Sequence, residues 1–394
     1  MENFEFVSPT QFVFGRGVEQ QVGQKLAERG AKKVLLHYGG QSAVKSGLID
    51  RVKDSLGKVG IQLVELGGVR PNPEITLIRE GVKLCKENDV DWVLAVGGGS
   101  VIDSAKAIAN GACIEEDVWT LFENKRTDHD VLPIAVILTI PAAGSEGSKN
   151  TVVSNDELGR KTGYPNNNHR PKLAFMNPEL TFTLPAYQTA AGLTDMFAHL
   201  LERFFCEVGP VPVTDNLNLS LMKTVRSLAQ VVLAEPENYE ARANIMWAGM
   251  LCHQGLAGCG RHEDWGSHAL EHELSAFKPD ITHGAGLAVI FPAWMEYVYD
   301  ANPARFAQYG REVFGLSTTG VVEQDALNAI DETRSFFASL GMPTTLEELG
   351  VCEEDIPQLL PTLRANKGEV FGSFKRLTMD DAAAIYQLAL QSEA

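Results

Sequence analysis

The sequence is short of positive charge: 34 Lys and Arg stand against 51 Asp and Glu, a formal net charge of −17 over 394 residues. Such a surface repels phosphate backbones and anionic headgroups, so neither nucleic acid nor a membrane is an expected partner. The opening stretch, MENFEFVSPTQFVFGRG, has no basic segment followed by an apolar one, and no secretory signal is read there. No apolar run approaches the length needed to cross a bilayer. Cysteine is scarce, six in all, and no two form a CxxC pair. Reduced thiols in a cytoplasmic protein are expected, and a thiolate metal site is disfavoured. Internal repeats and low-complexity linkers are missing as well.

What is present suits a large folded chain. Hydrophobic residues make up 44% of the sequence, and the length fits about two or three domains. KKVLLHY (32–38), IQLVELGG (61–68), DWVLAVGGG (91–99) and LPIAVILTIPA (132–142) read as buried strands. Helical patterns such as GLIDRVKDSLGKVG and EITLIREGVKLCKEN lie between them. This alternation predicts an α/β domain with a Rossmann-like parallel sheet over residues 1–185. Beyond Pro185, three segments carry helical periodicity without intervening strands: AYQTAAGLTDMFAHLLERFFCE, TDNLNLSLMKTVRSLAQVVLAE and ENYEARANIMWAGMLCHQGLAG. Capping boxes at Thr344…Glu347 and Thr378…Asp381 announce two further helices. An all-helical domain is therefore expected over 186–394. NNNHRPK reads as a polar loop, and MNPELTFTLP as a return to the sheet.

DWVLAVGGGSVIDSAKAIANG sets Gly97, Gly98 and Gly99 between a strand and a helix, with Ser100 placed as the N-cap. Glycines allow a ligand to approach the backbone, and a helix N-terminus offers N–H groups to a pyrophosphate. The spacing is not GxGxxG, and a tight strand-to-helix turn is the plain alternative. Asp103 and Lys106 are not required by an apolar helix face. TIPAAGSEGSKNT (139–151) follows another strand and brings Thr139, Gly144 and Ser145 to its carboxyl end, where ligands of open α/β sheets collect. After the first strand come Gly39, Gly40, Gln41 and Ser42, with no acid between Val34 and Ser46. An acid there serves the ribose 2′-OH of NAD and repels the 2′-phosphate of NADP. Its absence points to NADP(H), with NAD(H) as the alternative.

Two helical patterns carry spaced metal-ligand side chains. Asp195 and His199 lie in GLTDMFAHLLER; His268 and His272 lie in WGSHALEHELSAFKPDITHGAG, with His283 following a short loop that contains Pro279. Residues four apart on a helix share a face, with roughly 5–6 Å between Cβ atoms. For one isolated pair, an Asp–His hydrogen bond in the core is the commoner outcome. Two such pairs and a further histidine suit a divalent transition metal such as Fe2+ or Zn2+, with a position open to substrate. Spacing alone leaves open which of them would ligate.

FGRG (14–17), PNP (71–73), GGGSVIDSAK (97–106), TIPAAGSE (139–146), AAGLTDMFAHLLE (190–202) and SHALEHELSAF…THGAGLAVIFPAWM (267–295) together resemble the iron-containing (group III) alcohol dehydrogenase family. The likeness is to its butanol dehydrogenase-like branch. It implies Asp195, His199, His268 and His283 as metal ligands. His272 would stand off the metal, near substrate and cofactor. One turn after His268 and with an imidazole that titrates in the working range, it is the expected catalytic proton relay. Ser100 and Asp103 would join the glycine turn at the pyrophosphate and nicotinamide. Thr139, Ser145 and Lys161 would line the rest of the cofactor, and Gly39, Gly40 and Ser42 the adenine ribose. Two departures stand out: Ala143 where a threonine is common, and a loop, AFKPDIT, one residue longer than in well-known relatives.

The expected activity is reversible hydride transfer between NADP(H) and a primary aliphatic alcohol or aldehyde, in a chain that forms a homodimer as is common in the family. A metal- and NAD-dependent lyase or cyclase of the dehydroquinate synthase-like type is one alternative, and would show no net cofactor turnover. Glycerol dehydrogenase-like polyol oxidation is another. A binding protein with core histidines would make both the glycine turns and the ligand spacings accidents.

Overall fold

A computed structural model of the chain describes residues 1–207 and 209–390. They form two compact units. One comprises Val7–Leu184 with Glu237–Met250; the other comprises Met1–Phe6, Pro185–Pro236 and the chain from Leu251 onward. Neither is a contiguous stretch. Glu237–Met250 joins the first unit through aromatic contacts: Trp247 meets Phe12 and Phe14 edge-on at 5.8 and 5.9 Å. Arg16 also lies 3.6 Å over the ring of Tyr239. At the other end, the backbone N–H of Glu2 donates to the carbonyl of Gly260, which ties Met1–Phe6 to the second unit.

The first unit is built on eight strands: β1 (Gln11–Phe14), β2 (Lys33–Tyr38), β3 (Gln62–Leu66), β4 (Trp92–Gly97), β5 (Ile134–Leu138), β6 (Asn150–Asn155), β7 (Arg160–Pro165) and β8 (Leu173–Met176). Six form one parallel sheet in the order β1-β8-β5-β4-β2-β3. β4 and β5 are buried at every residue, which explains their unbroken apolar sequences: a parallel sheet is covered on both faces. The chain steps from β2 outward to β3, then returns to place β4 on the other side of β2. The direction of winding thus reverses between β2 and β4. Ligands of such sheets bind outside the carboxyl ends of the strands at this reversal.

Several sequence expectations are corrected. The polar end of TIPAAGSEGSKNT is the start of β6, which pairs with β7 in a separate antiparallel ribbon. The return to the sheet is β8, ahead of the expected MNPELTFTLP. There Asn177 accepts a hydrogen bond from Glu179 N, and Pro178–Thr181 closes into a short 3-10 helix. No helix starts at Thr344…Glu347. The N–H of Thr344 is taken by the Glu348 carboxylate, and Gly350, at φ 72°, ends the turn. Thr378…Asp381 does form its capping box, on helix Met379–Leu388. Among the described residues, the strands of the second unit are confined to one short ribbon, Val370–Phe371 with Leu377–Thr378, and its other regular elements are helices.

Three helices of the second unit matter most: Ala186–Phe204, Gly266–Phe277 and His283–Val298. The first is buried without a break from Thr189 to Phe204, so even its charged side chains point into protein. Among the described residues no helix is long and apolar enough to cross a membrane. All six cysteines are free thiols.

Candidate functional site

Asp195 and His199 sit one turn apart on Ala186–Phe204, and His268 is in the first turn of Gly266–Phe277. One ligand atom from each of the three lies within 4.8 Å of the others. All three residues are buried. His283 opens helix His283–Val298 immediately after AFKPDIT. In that loop Ile281 N bonds back to the Lys278 carbonyl at 3.0 Å. The turn brings His283 Nε2 to 3.8 Å from Asp195 Oδ1, and its ring to 5.3 Å from that of His268. The extra loop residue therefore does not carry His283 away. His272 stands beside this group, its ring centroid 5.4 Å from His283 and 6.3 Å from His268. It shares a second ligand-capable set with Glu271 and His283.

The chemistry of these donors fits a divalent metal. His199 Nδ1 and His268 Nε2 are buried and make no hydrogen bond among the described residues, a costly arrangement unless something else satisfies them. Asp195 Oδ1 lies 3.4 Å from His199 Nδ1, an electrostatic contact rather than a hydrogen bond. Burial, then the neighbouring imidazoles His253 and His268, drives His199 well below its usual range. Burial and His283 pull His268 down to about 3. Both rings are consequently neutral, with a lone pair to offer.

Two carboxylates not singled out in the sequence complete the surroundings. Glu202 Oε1 lies 2.7 Å from His268 Nδ1 and accepts the backbone N–H of His268 at 3.0 Å. Its Oε2 accepts the N–H of Trp265 at 2.6 Å. Burial pushes Glu202 up to about 8, against the pull of those N–H groups and of Arg203. A divalent charge at the far side of His268 would oppose the burial effect and favour the carboxylate. Glu271, also fully buried, is paired with His283 Nδ1 and with Ser275 Oγ. Both acids stand three residues after a candidate ligand, His199 and His268, yet each engages a different histidine, so that spacing does not reveal their partners. Trp265 stands close by: it holds φ 61° ahead of Gly266–Phe277, its indole N–H donating to Glu263 at 2.7 Å. Its ring stands 5.8 Å from His199 and 5.0 Å from His268.

In the first unit, the chain after β2 and the chain after β4 flank the point where the winding reverses. Helix Gly99–Gly111 begins two residues earlier than the sequence suggests. Gly98 is the N-cap, and its carbonyl accepts from Val101 and Ile102, so Ser100 lies inside the first turn rather than capping it. The glycines have a packing reason as well. A Cβ on Gly98 would meet Ile140 Cβ at 2.9 Å, and one on Gly99 would meet Ala143 Cβ at 3.2 Å. Ala143, the departure from threonine, is thus the small residue that Gly99 packs on. Gly97 ends β4, and Thr139 N donates to its carbonyl at 3.0 Å. At Gly40 an added Cβ would meet nothing within 4 Å. Ser42 lies on the short exposed helix Gln41–Lys45.

Asp103 and Ser145 come together, but with each other: Ser145 Oγ donates to Asp103 Oδ1 at 2.6 Å. Asp103 Oδ2 accepts from Val152 N at 2.9 Å. Buried Lys106 donates to Ser145 Oγ at 2.8 Å, to the Ser148 carbonyl at 3.1 Å and to the Asn150 carbonyl at 2.8 Å. Burial lowers Lys106 to about 8, while Asp103 and Glu146 pull the other way. These three side chains bind the helix to residues 145–152. Lys161 is buried on β7, opposite Ser154 of β6.

Sequence profiles match nearly the whole chain. The one described as iron-containing alcohol dehydrogenase covers residues 9–178, and the one for the C-terminal part of the Fe-containing alcohol dehydrogenase family covers 189–390. The chain belongs to the iron-containing alcohol dehydrogenase family. Within it, the likeness is to the butanol dehydrogenase branch. A probable NADH-dependent butanol dehydrogenase 2 from Bacillus subtilis (strain 168) is 39% identical over 393 residues, covering 99% of this chain and all of the relative. An NADPH-dependent aldehyde reductase from Escherichia coli (strain K12) is 34% identical over 99% of this chain and all of that protein. The crystal structure of an NADH-dependent butanol dehydrogenase A from Thermotoga maritima superposes with a TM-score of 0.95 at 38% identity, covering 99% of each chain. The family's parallel sheet and helical C-terminal part are those described above.

Proposed function

We propose that this alcohol dehydrogenase interconverts uncharged aliphatic aldehydes and primary alcohols with NADP(H), using one divalent metal held by Asp195, His199, His268 and His283. The observation that carries the reading is the convergence of one carboxylate and three imidazoles, with His199 Nδ1 and His268 Nε2 buried and making no hydrogen bond among the described residues. When bound, the metal supplies a Lewis acid for the substrate oxygen and the nicotinamide supplies or accepts the hydride. The chain's own residues do the rest. Gly97, Gly98, Gly99 and Ser100 present the helix N-terminus to the pyrophosphate. Thr139 and Lys161 line the cofactor beside them, while Asp103 and Ser145 hold the turn in shape. Gly39, Gly40 and Ser42 receive the adenine ribose. His272, partly exposed beside His283, delivers from its imidazole the proton that completes the alcohol and takes it back in the reverse direction. Trp265, beside His199 and His268, offers an uncharged wall to an aliphatic substrate.

NADP(H) is favoured because no acid follows β2 to repel a 2′-phosphate, and Gly40 faces open space. Among the relatives, both NADH- and NADPH-dependent enzymes occur. One experiment tests the core of the reading: metal content and NADPH oxidation with butanal, for the wild type, Asp195→Ala and His272→Ala. The wild type should hold metal stoichiometrically and oxidise NADPH steadily, which a lyase would not. Asp195→Ala should lose metal and activity together; a metal-free variant with full activity would sink the metal assignment. An unchanged turnover and pH profile in His272→Ala would remove the relay.

A further inference from the structure

Two imidazoles from different helices are held in the same way. His268 Nδ1 faces Glu202, which projects from Ala186–Phe204. His283 Nδ1 faces Glu271, which projects from Gly266–Phe277. Both carboxylates are fully buried, and both engage the Nδ1 side of the ring. When Nδ1 carries the proton and donates it to a carboxylate, the lone pair resides on Nε2. His268 Nε2 makes no hydrogen bond among the described residues, and His283 Nε2 points to within 3.8 Å of Asp195 Oδ1.

Capping offers a simpler explanation for Glu202, since it accepts two backbone N–H groups at the start of Gly266–Phe277. It does not account for Glu271, which lies inside its helix and whose carboxylate meets the side chains of Ser275 and His283. Nor does it explain why both acids select Nδ1. We infer that Glu202 and Glu271 are positioning residues that fix the Nδ1–H tautomer and ring plane of His268 and His283, so that both Nε2 lone pairs converge with Asp195 on one divalent cation. This inference rests on the metal reading given above. Carboxylates behind ligating imidazoles raise the basicity of the ligand, and losing one typically costs about 10–100-fold in metal affinity.

The test uses the full chain loaded with Zn2+ or Co2+. Metal release to an excess of chelator and the visible spectrum of the Co2+ form are measured for the wild type, Glu202→Gln, Glu271→Gln and Glu273→Gln. Glu273 is as buried, on the same helix as Glu271, and accepts instead from Asn366 at 2.9 Å. Glu202→Gln and Glu271→Gln are each expected to bind metal about 10–100-fold more weakly and to shift the Co2+ bands, because an amide no longer dictates the tautomer. Glu273→Gln should leave both readouts as in the wild type. Wild-type release and spectra in Glu202→Gln and Glu271→Gln would overturn the inference, as would an equal loss in Glu273→Gln. Should Glu202→Gln fail to fold, Glu271→Gln, which caps no helix, decides the matter. If Asp195→Ala kept its metal, the metal reading itself would fail. If Asp195→Ala lost it while both glutamine variants kept it, only the positioning role would fall.

Discussion

His37 shows how much a single buried side chain contributes to the pH response. It is fully buried on β2, with Nδ1 2.9 Å from the Leu66 carbonyl of β3 and Nε2 2.8 Å from Ser104 Oγ of helix Gly99–Gly111. Burial lowers it to about 4, although the Leu66 carbonyl pulls the other way. The unfolded chain takes up a proton near pH 6.5, whereas the folded chain resists until about 4. Between those values the unfolded state binds more protons, so stability falls as pH drops through the window and levels off below it. The full effect is on the order of 3 kcal/mol. Denaturant unfolding of wild type and His37→Gln from pH 7 to 4 checks this: the variant should lose stability less steeply, by about one proton's worth of slope. A parallel slope would assign the acid sensitivity elsewhere. At the same scale, the metal-ligand candidates were legible because i,i+4 spacing survives in any helix. Glu202 and Glu271 were not, because a glutamate on a helix is ordinary until its burial and partner are seen.

At the scale of elements, the helices Ala186–Phe204 and His283–Val298 meet closely at Gly284. A Cβ there would come 2.1 Å from the Ala191 carbonyl oxygen, a backbone atom that cannot swing aside. Gly284→Ala should therefore destabilise the second unit by at least about 1–3 kcal/mol, the usual cost of overpacking. Because Asp195 and His283 ride on the two helices, weaker metal binding should accompany the loss. Urea unfolding with and without added Zn2+ measures both; unchanged values would mean the helices separate freely. β2, β4 and β5 were readable from composition since burial on both faces demands continuous apolar runs. β3, expected to be buried, is instead an edge strand with Gln62 and Glu65 exposed. β1 was not read: four residues at a sheet edge carry too little pattern. β6 and β7 were not read as strands because their sequence, NTVVSN and RKTGYP, is largely polar; only the start of β6 fell within the segment read as ligand-binding. At Thr344 the capping-box residues are present, but Glu348 and Gly350 close a turn instead.

For the molecule as a whole, the choice of cofactor is the property that most directly divides the relatives. With no acid after β2, kcat/KM with NADPH should clearly exceed that with NADH in the aldehyde assay; equal or reversed values would withdraw the NADP(H) proposal.

The sequence by itself determined the alternation of strands and helices, the glycine turn, the acidic surface and the spacing of Asp195, His199, His268 and His272, because each is local or compositional. The tertiary structure decided what lies far apart in sequence. It brought His283 to Asp195 and set Glu202 and Glu271 behind their imidazoles. It turned Asp103 and Ser145 toward each other, and it exchanged Met1–Phe6 and Glu237–Met250 between the two units. Those outcomes depend on which buried polar atoms find partners once the helices pack, and no pattern along the chain encodes that pairing.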